Sequence, residues 1–422
     1  MSEPNIRRAV LANGVRLATE RLTHVRSVAV GIWLTRGSRH EPSENMGIAH
    51  FVEHMLFKGT PTRSAEAIAQ QVDSIGGQID AFTSKEYAGY YLKVLDEHLP
   101  LAVEILADLI SNPLLAEDDI EKEKKVILEE IKMVEDTPDD LVHEIFAEGF
   151  WSGHPLGRPI LGTPTSVNSL TRETLTSYFA NTYVASNFVV VAVGNLEHDN
   201  VRGLFERALA HIPHQGPDAE QTPPVVAATI QIRKKELEQS HVVFGTPALP
   251  QHHPERYAGY ALNTTLGGSM SSRLFQNVRE KRGLAYAVFS GLSAYQDSGA
   301  LSIYAGCSND VVGELIEVVV SEIRQMKAGG LDSIELRRAK DHLKGSLMLG
   351  LESTSSRMSH LARQEMYRDR TDGLDEMLAS IERVTTQDVL KLADRFFANG
   401  SLAVTVLGNV NGLQVNKEHL AL

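Results

Sequence analysis

Cysteine is almost absent from this chain: Cys307 is the only one in 422 residues, so no disulfide can form within it. That excludes the disulfide-stapled scaffolds of small secreted proteins. A lone thiol in a chain of this size is expected to be a small buried residue and not a nucleophile. Long apolar runs are missing too. No stretch reaches the roughly 18 apolar residues a helical span needs, so no membrane-crossing helix is expected. Residues 1–8 lack the apolar core of a secretory signal, and Arg7-Arg8 is too little for a transit peptide. The expected location is the cytoplasm of a bacterium. Basic charge is in deficit, with 41 Lys and Arg against 54 Asp and Glu and a net charge of −13. Nucleic-acid binding is therefore disfavoured, since phosphate contacts need a basic surface. If acidic residues line a cavity, basic peptides are drawn to it. Two motifs are absent. Gly267-Gly268-Ser269 lacks the Gly-Lys-Ser/Thr ending of a phosphate loop, and no G-x-S-x-G elbow occurs.

What is present is concentrated in His50-Phe51-Val52-Glu53-His54. Residues three and four apart on a helix are neighbours, so both imidazoles can face one point with Glu53 beside them. Two imidazoles and a carboxylate suit a zinc ion that holds a reactive water. The order H-x-x-E-H inverts the commoner H-E-x-x-H metal motif.

A catalytic zinc needs a third protein ligand. Residues 117–133 are rich in helix formers, with no Gly or Pro before Pro138. Ile120, Ile127, Ile131 and Val134 make one stripe that should be buried. Glu123 and Glu130 fall on the same stripe, about two turns apart. Glu121 and Glu129 lie off it, among Lys122, Lys124 and Lys125. A buried carboxylate is normally paired or bound to a metal. On pattern alone, either the two stripe glutamates sit at its edge and bind lysines, or Glu130 is the third ligand. In the second case Glu123 is an acid near His54 or the bound water.

The chain also repeats itself. Leu170-Thr171 opens a helix that leads through Phe179-Ala180-Asn181 and the strand 188–193 to Gly194-Asn195. Val384-Thr385 opens another, leading through Phe397-Ala398-Asn399 and the strand 402–407 to Gly408-Asn409. Both ends recur 214 residues on (Thr171 to Thr385, Asn195 to Asn409). Helices at 101–110 and 114–131 have counterparts at 312–326 and from Ser333. A Pro-rich polar connector, Gln215 to Pro224, separates the halves. The expected domains are residues 1–213, a linker at 214–225, and 226–422. Strand-like runs such as 28–33 and 241–245 alternate with bunched helices, which predicts α+β layers.

His50-x-x-Glu53-His54, followed by Glu123 and Glu130, resembles the pitrilysin, insulysin and mitochondrial processing peptidase superfamily of zinc metallopeptidases. The likeness includes Gly47-Ile48-Ala49, Met55-Leu56-Phe57-Lys58-Gly59-Thr60, residues 76–83 and the run from Gly153 to Thr163. It covers nearly the whole chain, whose length suits the small processing-peptidase-like branch. The resemblance implies two related α/β halves, each a sheet backed by helices, closing like a clamshell on a peptide substrate. It implies one zinc per chain, bound by His50, His54 and Glu130, with Glu53 as general base. The second half has no histidine at the matching place, Ala261 to Leu266. Its Ser271 to Phe275 and Arg279 to Tyr286 resemble the superfamily's C-terminal signature, in which an arginine and a tyrosine polarise the scissile carbonyl. That maps to Arg279 and Tyr286; read as residues alone, they are equally a salt-bridged helix end and a core tyrosine. Substrate in the superfamily adds as a strand along the segment matching Asp80, Ala81, Phe82 and Thr83. Asp80 stands where many relatives carry asparagine.

The expectation is a zinc endopeptidase whose activity requires closure of the two halves. Non-catalytic scaffold relatives typically degrade the metal motif, whereas every element is kept here. Heterodimeric relatives split zinc and substrate parts between chains; both sets occur here, so a homodimer or a monomer is expected.

Overall fold

The computed structural model describes residues 6–216, 222–367 and 372–422. The chain forms two compact units: Met1–Lys132 with Arg158–Gln221 and Gly350–Thr371, and Met133–Gly157 with Thr222–Leu349 and Asp372–Leu422. In chain order the first part runs β1 (Ile6–Val10), β2 (Arg16–Arg21), β3 (Ser27–Leu34), α1 (Ile48–Leu56), α2 (Ala65–Ser74), β4 (Gln78–Thr83) and β5 (Ala88–Leu95). Then come α3 (Leu99–Ser111), α4 (Glu117–Asp136), α5 (Pro138–Phe150), α6 (Pro164–Ser169), α7 (Arg172–Thr182), β6 (Phe188–Gly194) and α8 (His198–Ala208). The second part runs β7 (Ile230–Lys234), β8 (Gln239–Pro247), α9 (Arg256–Leu266), β9 (Ala285–Ala294), β10 (Gly299–Ser308), α10 (Val312–Gly329) and α11 (Ser333–Gly350). It ends with α12 (Thr354–Tyr367), α13 (Leu374–Arg383), α14 (Thr386–Phe396) and β11 (Ala403–Gly408).

The duplication is plain in the sheets. One has the order β1-β2-β6-β3-β5-β4, the other β7-β11-β8-β10-β9. Apart from β1 the two orders match strand for strand. In each, the repeated strand near the end of the half (β6 or β11) lies parallel to an outer neighbour (β2 or β7) and antiparallel to an inner one. The repeat extends to single hydrogen bonds. Thr171 caps α7 by accepting from the Thr174 amide, and Thr385 caps α14 by accepting from the Asp388 amide. This is an α+β protein of two homologous halves.

Both central strands of the first sheet are apolar on both faces, and alternation assigns each face. Val28, Val30, Ile32, Phe188, Val190 and Ala192 face the core shared with α1, α3 and α4. Ala29, Trp33, Val189, Val191 and Val193 face Met358, Leu361 and Ala362 of α12. The second sheet repeats the plan: Val242 and Phe244 face α9, α10 and α14, while Val243 and Leu407 face Leu141, Val142 and Phe146 of α5. Each unit thus covers one sheet face with a helix from the other half of the sequence. All strands of one sheet fall within 1–213 and all strands of the other within 226–422. The compact units each draw on both halves of the sequence. The physical reason is that a sheet apolar on both faces needs two helical layers, and each half supplies the second layer for the other. Residues 217–221 of the connector lie outside the described residues. Among the described residues no helix is long and apolar enough to cross a membrane. Cys307 is buried, and burial pushes its thiol up to about 12, so it is no nucleophile.

Candidate metal centre

Helix α1 carries the motif because its sequence is two-faced. Ile48, Phe51, Val52, Met55 and Leu56 are buried in the core, which leaves His50, Glu53 and His54 half-buried on the other side. It begins at Gly47, whose φ of 90° suits glycine; a Cβ there would stand 2.6 Å from the Leu161 carbonyl oxygen. Helix α4 brings the carboxylates. It buries Ile120, Glu123, Ile127 and Ile131, and Glu130 is half-buried one residue away. Glu121 and Glu129 point outward to Lys124 and Lys132, at 2.7 and 2.8 Å.

The two helices bring His50, His54 and Glu130 together, with one candidate ligand atom from each lying within 4.8 Å of the others. No other trio of His, Cys, Asp or Glu among the described residues does this. His50 Nε2 stands 3.8 Å from Glu130 Oε2, and His54 Nε2 stands 3.8 Å from Glu130 Oε1. Ligands about 2.0–2.2 Å from a tetrahedral zinc lie roughly 3.3–3.6 Å apart, so each imidazole–carboxylate contact, one to each Glu130 oxygen, is a few tenths of an ångström longer than that. The polar inventory points the same way. Among the described residues, Glu130 Oε2 and His50 Nδ1 are buried without a hydrogen-bond partner, a costly condition for a carboxylate oxygen unless a cation meets it. Burial, followed by the neighbouring His54, pushes His50 down to about 4, so its ring is neutral and its lone pair free at pH 7.

Around this trio stand residues that hold it. Glu123 places one oxygen 3.0 Å from His54 Nδ1 and the other 2.5 Å from Lys58 Nζ. A carboxylate paired with lysine is an acceptor, so His54 Nδ1 donates and Nε2 is left as an acceptor on the side of Glu130. Glu123 thus meets the far nitrogen of the His54 ring with one oxygen and a lysine with the other. Glu53 Oε2 accepts from the Thr83 hydroxyl. Burial foremost raises the Glu53 carboxyl above its ordinary range, with Asp80 and Glu130 adding repulsion and Thr83 and His54 opposing them.

Asp80, Ala81, Phe82 and Thr83 lie on β4, the last strand of the first sheet, which among the described residues pairs with β5 alone. Asp80 accepts from the Ala81 amide at 2.9 Å and from the Tyr91 hydroxyl at 2.8 Å. In the other unit, Arg279 is the penultimate residue of a π-helical turn, Phe275–Glu280, with its guanidinium 4.8 Å from the Phe275 ring and 5.0 Å from the Tyr286 ring. Tyr286 is 80% exposed and so is not a core tyrosine. Sequence reasoning missed the Lys58–Glu123 pair, although Lys58 follows the motif by one helical turn. It also missed Thr83 as the partner of Glu53, for which no local pattern exists.

Comparison with known proteins identifies the family. Residues 16–164 match the model of insulinase, peptidase family M16, and residues 169–343 match that of the peptidase M16 inactive domain. An uncharacterized zinc protease of Bacillus subtilis is 43% identical over 93% of this chain and 96% of its own. One from Streptomyces coelicolor is 40% identical over 99% and 92%. A crystal structure of a protease from Helicobacter pylori superimposes with a TM-score of 0.91 at 22% identity, covering 96% of this chain and 99% of that one. The peptidase M16 inactive domain from Pseudomonas fluorescens gives 0.90 at 21%, covering 96% and 98%; both show the shared fold. The chain belongs to the M16, or insulinase, family of metallopeptidases.

Proposed function

We propose that this chain is a zinc-dependent endopeptidase acting on extended peptides or unfolded precursor segments. The carrying observation is that His50, His54 and Glu130 each bring a ligand atom within 4.8 Å of the others, with one Glu130 oxygen buried without a hydrogen-bond partner among the described residues. His50, His54 and Glu130 would hold the ion, and Glu123 keeps the His54 ring in the binding tautomer. When bound, zinc supplies a Lewis acid that brings the pKa of water at its open position to about 7. Glu53, held by Thr83 and made more basic by burial, takes the proton of the attacking water at its carboxylate. The same carboxyl then gives a proton to the leaving amine nitrogen. The open edge of β4 offers unpaired backbone groups to an extended substrate, whose main-chain hydrogen bonds are indifferent to side chains. Arg279 and Tyr286 are assigned to the substrate carbonyl, where charge develops. Homologues named as zinc proteases support the chemistry.

The direct test is Glu53→Gln. Turnover of a fluorogenic peptide should fall by roughly 1,000-fold or more while zinc content stays at one per chain. Residual activity within tenfold of the parent would remove Glu53 from the role of base. Gel filtration of the same samples separates the homodimer we propose from a monomer.

A further inference from the structure

We infer that Glu41 is a positioning residue for the metal centre: its buried carboxylate pins the N-terminus of α1 and so fixes where His50, Glu53 and His54 stand. This rests on the reading above only for its activity readout.

The first turn of any helix carries amide groups without intrahelical partners. At α1 the capping position is Gly47, which has no side chain to offer. Glu41 does the work from six residues upstream. Oε2 accepts from the Gly47 amide at 2.8 Å and Oε1 from the Ala49 amide at 2.9 Å. The residue is 5% exposed, and a negative charge there also faces the positive end of the helix dipole.

Glu41 is itself immobilised. Arg158 Nη1 reaches its carbonyl oxygen at 3.3 Å, and the charges of Lys85 and Arg158 attract its carboxylate. The turn just before it is bonded to the β4–β5 hairpin: the Ser38 amide to the Ser84 carbonyl at 3.1 Å and the Arg39 amide to the Lys85 carbonyl at 2.7 Å. Arg39 Nη1 also meets Glu86 Oε1 at 2.6 Å in a buried pair, and the Tyr367 hydroxyl donates to the other Glu86 oxygen at 2.8 Å. The five residues Gly37 to Glu41 therefore clasp both carriers of the site. Glu41 holds α1, which bears the metal ligands and the base; Ser38 and Arg39 hold the hairpin, which bears Thr83. The Thr83–Glu53 hydrogen bond is the point where the two carriers meet.

The test uses the full chain at pH 8, with Glu41→Gln and Glu41→Asp beside a control, Thr171→Ala, that removes an ordinary cap in the same unit. Gln presents one oxygen to two amides and Asp is too short to reach both, so each keeps at most one bond. Expected is a loss of Zn2+ affinity of roughly 10–100-fold, read by competition with a chromophoric chelator. At saturating zinc, kcat should fall about tenfold or more with KM changed less than twofold. Thr171→Ala should lower the thermal midpoint while leaving both quantities alone. If Glu41→Gln and Glu41→Asp lose stability like the control yet keep parental zinc affinity and kcat, Glu41 is merely structural and the inference is overturned. Should Glu41→Gln fail to fold, Glu41→Asp decides by the same readouts. A zinc-loaded parent that cleaves no peptide would sink the function alone, leaving zinc affinity to judge Glu41.

Discussion

Single residues divide the work at this centre. In the proposed centre His50 and His54 would offer ring nitrogens and Glu130 a carboxylate oxygen, while Glu123 touches the His54 ring from behind. Replacing Glu123 by Ala leaves His54 free to turn and Lys58 without its counter-ion. Zinc affinity should then fall by roughly 10–100-fold in a protein that still folds; equal affinity, by chelator competition, would reduce Glu123 to a structural partner. A second residue-level effect concerns pH. Burial pushes His40 down to about 4 and its neighbour Glu41 up to about 7. Between about pH 4.5 and 6.5 the unfolded chain protonates His40 and ionises Glu41, and the folded chain does the reverse. The proton counts are equal, so the pair contributes no slope to stability in that window. His40→Gln removes one side of the balance. The folded state then binds one proton more than the unfolded state from about pH 4.5 to 7. Stability should fall as pH rises across that range, by about 3 kcal/mol in total. Thermal midpoints of parent and variant that run parallel across this range would contradict it.

Elements show why some of this was legible and some was not. The helix bearing Glu130 could be read because its apolar stripe and its lysine-flanked face have helical spacing, and Glu121 and Glu129 do pair with Lys124 and Lys132. The caps at Thr171 and Thr385 advertise helix starts in the same way. Glu41 does not: a carboxylate six residues ahead of a helix, across a turn, has no periodic relation to it. Helix α12 was equally silent, since an apolar stripe states that a helix is buried and not against which sheet. Met358, Leu361 and Ala362 seal the outer face of the first sheet, and Arg357 meets Glu20 at 2.5 Å. Leu361→Asp should cost about 4 kcal/mol or more, from an unpaired buried charge and a lost side chain. The calorimetric transition of the unit that carries the His50–His54 motif should move down although the change lies more than 300 residues after the motif begins. An unshifted transition would show that α12 is dispensable to that sheet.

For the molecule as a whole, net charge and chain path matter most. A charge of −13 creates a field that exposed carboxylates near the centre, Asp80 among them, reinforce locally. The kcat/KM of basic peptides should exceed that of acidic ones at low salt and converge with it as ionic strength rises toward a Debye length of about 8 Å and below. Equal values at every salt concentration would limit the acidic excess to solubility. The reciprocal exchange of α5 and α12 makes the two halves interdependent in folding, although each sheet is built from one half alone.

The amino-acid order by itself determined the duplication, the α+β class, and the types and spacing of the candidate metal ligands. Those features rest on local periodicity, on caps a few residues long, and on a motif contained in one helical turn. Only the tertiary structure decided which carboxylate reaches which imidazole nitrogen, that Thr83 meets Glu53, that Glu41 holds the motif helix, and that each sheet borrows a helix from the other half. Such contacts join residues tens to hundreds of positions apart. Their pairing is set by how two-faced sheets find cover and how buried charges find partners.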